Sequence, residues 1–488
     1  MKKIAMTNPL QKRRLQRTTL AAAVLALLAL TGCSSVNFDQ AVSSANQTAG
    51  NFTGGKLELS RSATQQQART QLSQQLLAQP LGQNEAVQLA LDNSPAVQAL
   101  LVQSWQSMSE AKQAGQIANP IFSFERVRMG DTLDIGRMLS FGLLDLLTLP
   151  QRQRIAGGQI ASAQIALAGS VVEHVTQVRQ AWVQAVAAQQ KVQYAVQVHT
   201  AAEAGAELAR RMQQVGNFTR LQRMRQQAFY ADTAMELASS QHSATAAREG
   251  LVRILGLNDA QAAQLQLPER LPDVPLQLPS AIQLSEVAKS QRLDVQLARA
   301  QLESVGHAQG LNLLTSLVDV ELAGIRNTEF ENEHGKGHKS TGRGFEIAIK
   351  LPIFDWGSAR RDAMNAQSLA AASSYESTVR SAASHLRESY SALRTAHGMA
   401  RHYQSEVVPL RKAMQEENVL RYNGMLIGVF ELLAGTREQI QSVSAAIAAS
   451  EQFWLADAAM SASLIGKPVG GAAMTAAPKA GGSAAAPH

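Results

Sequence analysis

The chain has 488 residues, 45% of them hydrophobic and 17% charged, which excludes wholesale disorder and leaves room for a large core. Aromatics make up only 5% against a surplus of Ala and Gln, a poor match to a β-sandwich or a multi-pocket enzyme and a good one to long helices in close contact. The net charge of +7 sits at the N-terminus, where residues 1–32 hold Lys2, Lys3, Lys12, Arg13, Arg14 and Arg17 and no acid; the remainder is nearly balanced and gives no reason to expect nucleic acid as a partner.

The basic leader ends at Thr19 and is followed by an apolar run from Ala21 to Leu30, well short of the ~20 residues a membrane-spanning helix needs, so residues 1–32 read as a signal peptide. Leu30-Thr31-Gly32-Cys33 resembles a bacterial lipobox, which implies cleavage before Cys33 and lipidation of that residue. Ser34 in place of Asp implies, by the same resemblance, sorting to the outer membrane. Cys33 is the only cysteine, so nothing remains for a disulfide, a thiolate metal site or a cysteine nucleophile. Residues 33–80, rich in Ser, Gln and Thr, read as a polar tether.

Beyond it the chain repeats itself. At a spacing of 198, Val97-Gln98 falls on Val295-Gln296 and Gln103 on Gln301. At 208, Leu139, Phe141 and Leu143 fall on Ile347, Ile349 and Leu351, Trp182 on Tyr390 and Gly216 on Gly424. The difference places ten extra residues in the loop between the strands of the second copy. Residues 81–266 are expected to form one repeat and 281–466 another, each running helix, strand, strand, long helix, turn, helix. Between them, 267–280 carries Pro268, Pro272, Pro275 and Pro279, too closely spaced for a helix and suited to an extended connector. Residues 467–488, mostly Ala, Gly and Pro, read as a disordered tail.

A long helix is expected from about Gln151 to Gln213. Val171, Val175, Val178, Trp182, Ala185, Gln189, Val192 and Val196 recur at alternating steps of four and three, a coiled-coil seam that Val379, Ala383, Leu386, Tyr390, Leu393, His397 and Ala400 repeat. The connecting segments change to a period of two. Strands are expected at about 120–128, 137–147, 317–326 and 344–354; Phe345, Ile347, Ile349 and Leu351 alternate with Glu346, Ala348 and Lys350, although Asp145 breaks the pattern in the second strand. Alternation of this kind suits a transmembrane β-barrel, which four strands cannot close, so copies of the chain must share one. It also fits a soluble hairpin pair capping a non-conducting periplasmic helical lipoprotein.

Asn119-Pro120 opening the first strand, Leu351-Pro352-Ile353-Phe354-Asp355-Trp356-Gly357 closing the fourth and entering the long helix, and Arg421-Tyr422-Asn423-Gly424 at a helical turn are similar to motifs of the outer-membrane efflux protein family, typified by TolC, and within it to the lipid-anchored members. The resemblance spans about residues 84–466. It implies a mainly α fold with a small β part: a long coiled-coil α-helical barrel, and four strands per chain contributing to a trimeric 12-stranded transmembrane β-barrel. It implies a homotrimer in the outer membrane with a long periplasmic portion, a passive exit duct for small toxic compounds or metal ions delivered by an inner-membrane pump through a periplasmic adaptor. The hairpin tips that would meet the adaptor match Val215, Gly216, Asn217, Phe218 and Thr219, and Asn423, Gly424, Met425, Leu426 and Ile427, with Gly216 and Gly424 fitting the turns. Asp319, Glu321, Glu346 and Lys350 are the candidate lumen residues.

No enzyme signature emerges, and no cofactor or catalytic residue is assigned. Gly335-Lys336-Gly337-His338-Lys339-Ser340 lacks the Gly-Lys-Ser order of a phosphate loop, and there is no His-Glu-x-x-His or Gly-x-Ser-x-Gly. His334 and His338, in the ten extra residues beside Glu329, Glu331 and Glu333, are the only weak metal candidates; a solvated loop is the simpler reading.

Overall fold

The computed structural model describes residues 36–280, 292–315, 319–333, 336–350 and 353–467. The signal peptide, Cys33, the start of the second repeat at 281–291, His334, Leu351-Pro352 and the tail from 468 lie outside the described residues.

Four helices come first: α1 (Phe38–Thr53), α2 (Ala63–Leu77), α3 (Gln83–Asn93) and α4 (Pro95–Ala114). Residues 36–80 are therefore not a tether. Phe38, Ala41, Val42, Ala45, Ala49 and Phe52 recur at helical spacing and are all buried in the main core, so α1 docks rather than dangles. The Ser62–Gln65 capping box starts α2, and Pro95, lacking an N–H, both ends α3 and opens α4.

The strands β1 (Ile121–Met129) and β2 (Thr132–Gly142) lead into α5 (Leu143–Gln214). The expected second strand, 137–147, is shifted by five residues: it stops at Gly142, and Asp145, which breaks the alternation, stands in the first turn of α5, where its charge suits the helix dipole and pairs with Arg152 at 2.6 Å. The long helix thus begins at Leu143, eight residues before the expected Gln151, and spans 72 residues, about 108 Å. After a turn come α6 (Arg220–Leu255), the short α7 (Asp259–Gln264), and the extended connector. The second copy supplies α8 (Leu293–Thr315), β3 (Asp319–Glu333), β4 (Lys336–Lys350), α9 (Ser358–His402), a π-helical turn (Tyr403–Val407), α10 (Val408–Asn423) and α11 (Val429–Leu464).

The core lies where α1 to α4 cover the middle of α5. Val171, Val175, Val178, Trp182 and Ala185 of the predicted seam are all buried there. The Trp182 indole donates to the Leu81 carbonyl at 2.7 Å, and Arg179 donates to the Phe52 carbonyl at 2.6 Å while lying over the Phe52 ring. Burial pulls the Arg179 pKa down and pushes that of Asp457 up, the attraction between the two opposing both shifts. The connector is held against the helices: Trp454 donates to the Pro272 carbonyl at 3.0 Å and His397 Nε2 to that of Pro275 at 2.8 Å, which makes His397 a packed residue. Lys191 and Glu451, 2.6 Å apart, join the two copies lower down.

Candidate functional site

All four strands form one antiparallel meander in the order β1-β2-β3-β4, joined across the repeats by β2 and β3. The pairing is continuous, with each strand's neighbours in register from end to end. Among the described residues the outer edges of β1 and β4 are unpaired, and the helices all leave from one end of the sheet.

The ten extra residues of the second copy do not form a loop. They lengthen the hairpin, whose ladder runs on through Glu329↔Ser340, Glu331↔His338 and Glu333↔Lys336. The lengthened part is polar on both faces except at Phe330, so it carries no alternating apolar signal and reads as a loop in the sequence. His338 is exposed on β4 opposite Glu331, and no group of metal-ligating side chains is found among the described residues.

Register divides the sheet into two chemically distinct faces. Phe122, Leu139, Phe141, Leu322, Phe345 and Ile347 share one, through the pairs Phe122↔Leu139, Phe141↔Leu322 and Leu322↔Ile347. Phe345 is 77% exposed, so this apolar surface faces away from the protein. Below it stand the exposed Ile353, Phe354 and Trp356, Phe354 at 99%. The opposite face is polar and acidic: Glu125, Asp134, Glu321, Glu329, Glu331 and Glu346 alternate with the apolar set. The sequence-predicted lumen residues fall on it together, with Asp319↔Lys350 paired and Glu321 and Glu346 flanking Ala323 and Ala348. Periodicity identified only those of the second copy, because the acids of the first copy are set among Gly136, Met138 and Val127.

At the far end of the helices are two turns. In the first, Gly216 takes a φ of 81°, and the Asn217 and Phe218 amides donate to the Met212 carbonyl. In the second, the left-handed position falls on Met425, with φ 59°, while Gly424 has φ −79°. The expectation that Gly424 plays the role of Gly216 is thus one residue out. The π-turn is the reason: it inserts one residue into the second long helix, so the spacing of 208 that holds through Trp182 and Tyr390 becomes 209 at the tips, where Thr219 and Gly428 are equivalent N-caps. The two tips touch through Phe218 and Phe430, ring centroids 4.8 Å apart. Val215, Met425 and Leu426 are exposed.

Residues 280–451 match the outer membrane efflux protein family. Among solved structures the chain is similar to the outer membrane protein VceC of Vibrio cholerae, with a TM-score of 0.65 at 16% identity, covering 79% of this chain and 96% of that one. It is similar also to the CmeC outer membrane channel of Campylobacter jejuni (0.63, 14%, 84% and 89%) and to the open state of the MtrE outer membrane channel of Neisseria gonorrhoeae (0.61, 20%, 78% and 88%). A search of curated proteins finds no match. CmeC and MtrE are both outer membrane channels. Residues 280–451 are thus similar to outer membrane efflux proteins, and the chain has the fold of the TolC-like outer-membrane channels.

Proposed function

We propose that three copies of this chain close a 12-stranded barrel in the outer membrane and form the passive exit duct of a tripartite efflux or secretion system. The observation that carries this reading is the four-stranded sheet itself, mounted on the ends of the long helices with both edges open and an apolar face turned outward. An open edge leaves a row of unpaired N–H and C=O groups, which hydrocarbon does not tolerate, so identical neighbours must pair with β1 and β4. The acidic face then lines the lumen, with Asp319, Glu321, Glu346 and Lys350 near its periplasmic end, and the long helices carry the tunnel inward. The tips at Val215–Thr219 and Asn423–Ile427 meet a periplasmic adaptor, which couples the duct to an inner-membrane pump. Turnover comes from the pump, and the duct contributes no chemical step. Lipidation at Cys33 adds an anchor in the same membrane.

The test is conductance of the purified, full-length protein in planar bilayers. An acidic lumen predicts discrete channels that favour cations over anions, with the preference reduced in Glu321→Gln/Glu346→Gln. A correctly assembled sample that passes no current under any applied voltage would overturn the channel reading in favour of a helical spacer.

A further inference from the structure

The outward face of the sheet is not apolar throughout. Beyond the row formed by Leu139, Gly324 and Phe345, the next row toward the hairpin turns holds Arg137, Arg326 and Arg343, directly opposite one another on β2, β3 and β4. Above them on the same face stand Arg126, Arg128 and Lys339. No acid occurs at any outward position of the four strands, whereas the inward face carries nearly all the sheet's carboxylates. Among the described residues none of the six cations has a salt-bridge partner, and Lys339 lies over the Phe330 ring at 5.3 Å.

Like charges directly opposite one another on a sheet destabilise it, and arginine in the middle of a lipid-facing barrel wall costs about 2–4 kcal/mol, falling to ~0–1 near the interface. The belt therefore marks the outer boundary of the hydrocarbon, since the turns lie opposite to the helices, and its charge needs an external anion. Strands about 4.8 Å apart place three guanidinium groups side by side, and guanidinium binds phosphate through paired hydrogen bonds.

We infer that the belt formed by Arg137, Arg326 and Arg343, with Arg126, Arg128 and Lys339 above it, binds a glycolipid of the outer leaflet that carries more than one phosphate. A lipid with several phosphates satisfies neighbouring arginines at once, which one phospholipid headgroup does not. This rests on the barrel reading, since the belt faces lipid only if the sheet is part of a barrel wall.

The experiment reconstitutes the full-length protein into phosphatidylcholine vesicles containing diphosphoryl lipid A or, separately, phosphatidylglycerol, or with inorganic phosphate outside, and measures phosphate retained per trimer after mild detergent extraction. Conductance is recorded on the same samples. Wild type is expected to retain lipid A in preference to phosphatidylglycerol and inorganic phosphate, and R137Q/R326Q/R343Q to retain about tenfold less while conducting normally. R137K/R326K/R343K, which keeps the charge and loses the fork, is expected in between; if the Gln triple does not assemble, Arg343→Gln alone is read against it. Normal conductance with lipid A retention unchanged in these variants, or with phosphatidylglycerol or inorganic phosphate retained as well as lipid A, overturns the belt and leaves the channel standing. A wild type that neither inserts nor conducts overturns both.

Discussion

Met425 sits in the left-handed region that its counterpart in the first repeat, Gly216, enters without a Cβ. For a non-glycine residue that backbone costs about 1 kcal/mol, and the side chain recovers nothing inside the chain, being 93% exposed beside an equally bare Leu426. A strained, exposed apolar residue at the end of a tunnel is explained by a partner that covers it. Met425→Gly should therefore stabilise the tip by about 0.5–1 kcal/mol, read as a higher melting temperature or slower amide exchange in residues 420–430, yet weaken cross-linking to the adaptor. Greater stability with unchanged cross-linking would leave the tip's strain without a function. The cation belt belongs to the same scale: its six residues mean little one by one and become a surface only through register.

At the scale of elements, the periodicities of the sequence carried most of the architecture. The seam residues of α5 from Val171 to Ala185 recur at coiled-coil spacing because they pack against a continuous surface of α1 to α4, a cover that ends before the exposed Val196, and Phe345, Ile347 and Ile349 alternate because one side of β4 is apolar. What the sequence concealed has physical causes. Apart from Phe330 the far half of the β3–β4 hairpin is polar on both faces, so its strand period carries little hydrophobic signal. In α1 the spacing of Phe38, Val42, Ala45, Ala49 and Phe52 was present, but Ser, Gln and Thr between them gave the segment the composition of a tether. The π-turn at Tyr403–Val407 adds a single residue without changing the helical composition, and only the mismatch of turn geometries betrays it. The wide turn takes up the ~100° that an extra residue would otherwise add, so it keeps the face that α10 presents to α11. Arg411 pairs with Glu438, and Gln415 donates to Thr436 at 2.8 Å, both beyond the turn. Deleting Ser405 should convert the π-turn to α-helix with the residues beyond it on the same face, so both contacts and the hydrogen-exchange protection across 408–440 are kept, whereas an α-helical turn that retains all five residues would lose them. Protection lost after the deletion would show that the turn does not serve to absorb an inserted residue.

At the scale of the whole molecule, one chain is incomplete in two places. The sheet ends in two bare edges, and the outer part of α9 keeps a stripe of its apolar residues in solvent, Leu369 at 70% exposure and Val379 also exposed, whereas the equivalent seam of α5 is covered by α1 to α4 from the same chain. The β4 edge and the α9 stripe both lie on the second repeat's flank, as expected if the next subunit supplies its β1 edge and a helix to that side. Because Cys33 is the only native cysteine, engineered pairs can test this directly. In a Cys33→Ser background, Phe124→Cys on β1 combined in turn with Arg343→Cys, Phe345→Cys or Ile347→Cys on β4 places thiols on the two free edges and on the same outward face. Within one chain β1 and β4 are separated by β2 and β3, about 14 Å at ordinary strand spacing and too far for a disulfide. Oxidation should then give covalent trimers on a denaturing gel, strongest for the β4 position in register and weaker two residues to either side, with single-cysteine controls remaining monomeric. Exclusively intramolecular bridges, or no bridge at any β4 position in protein that conducts, would mean that β1 and β4 of neighbouring subunits do not meet and that the barrel closes by another arrangement.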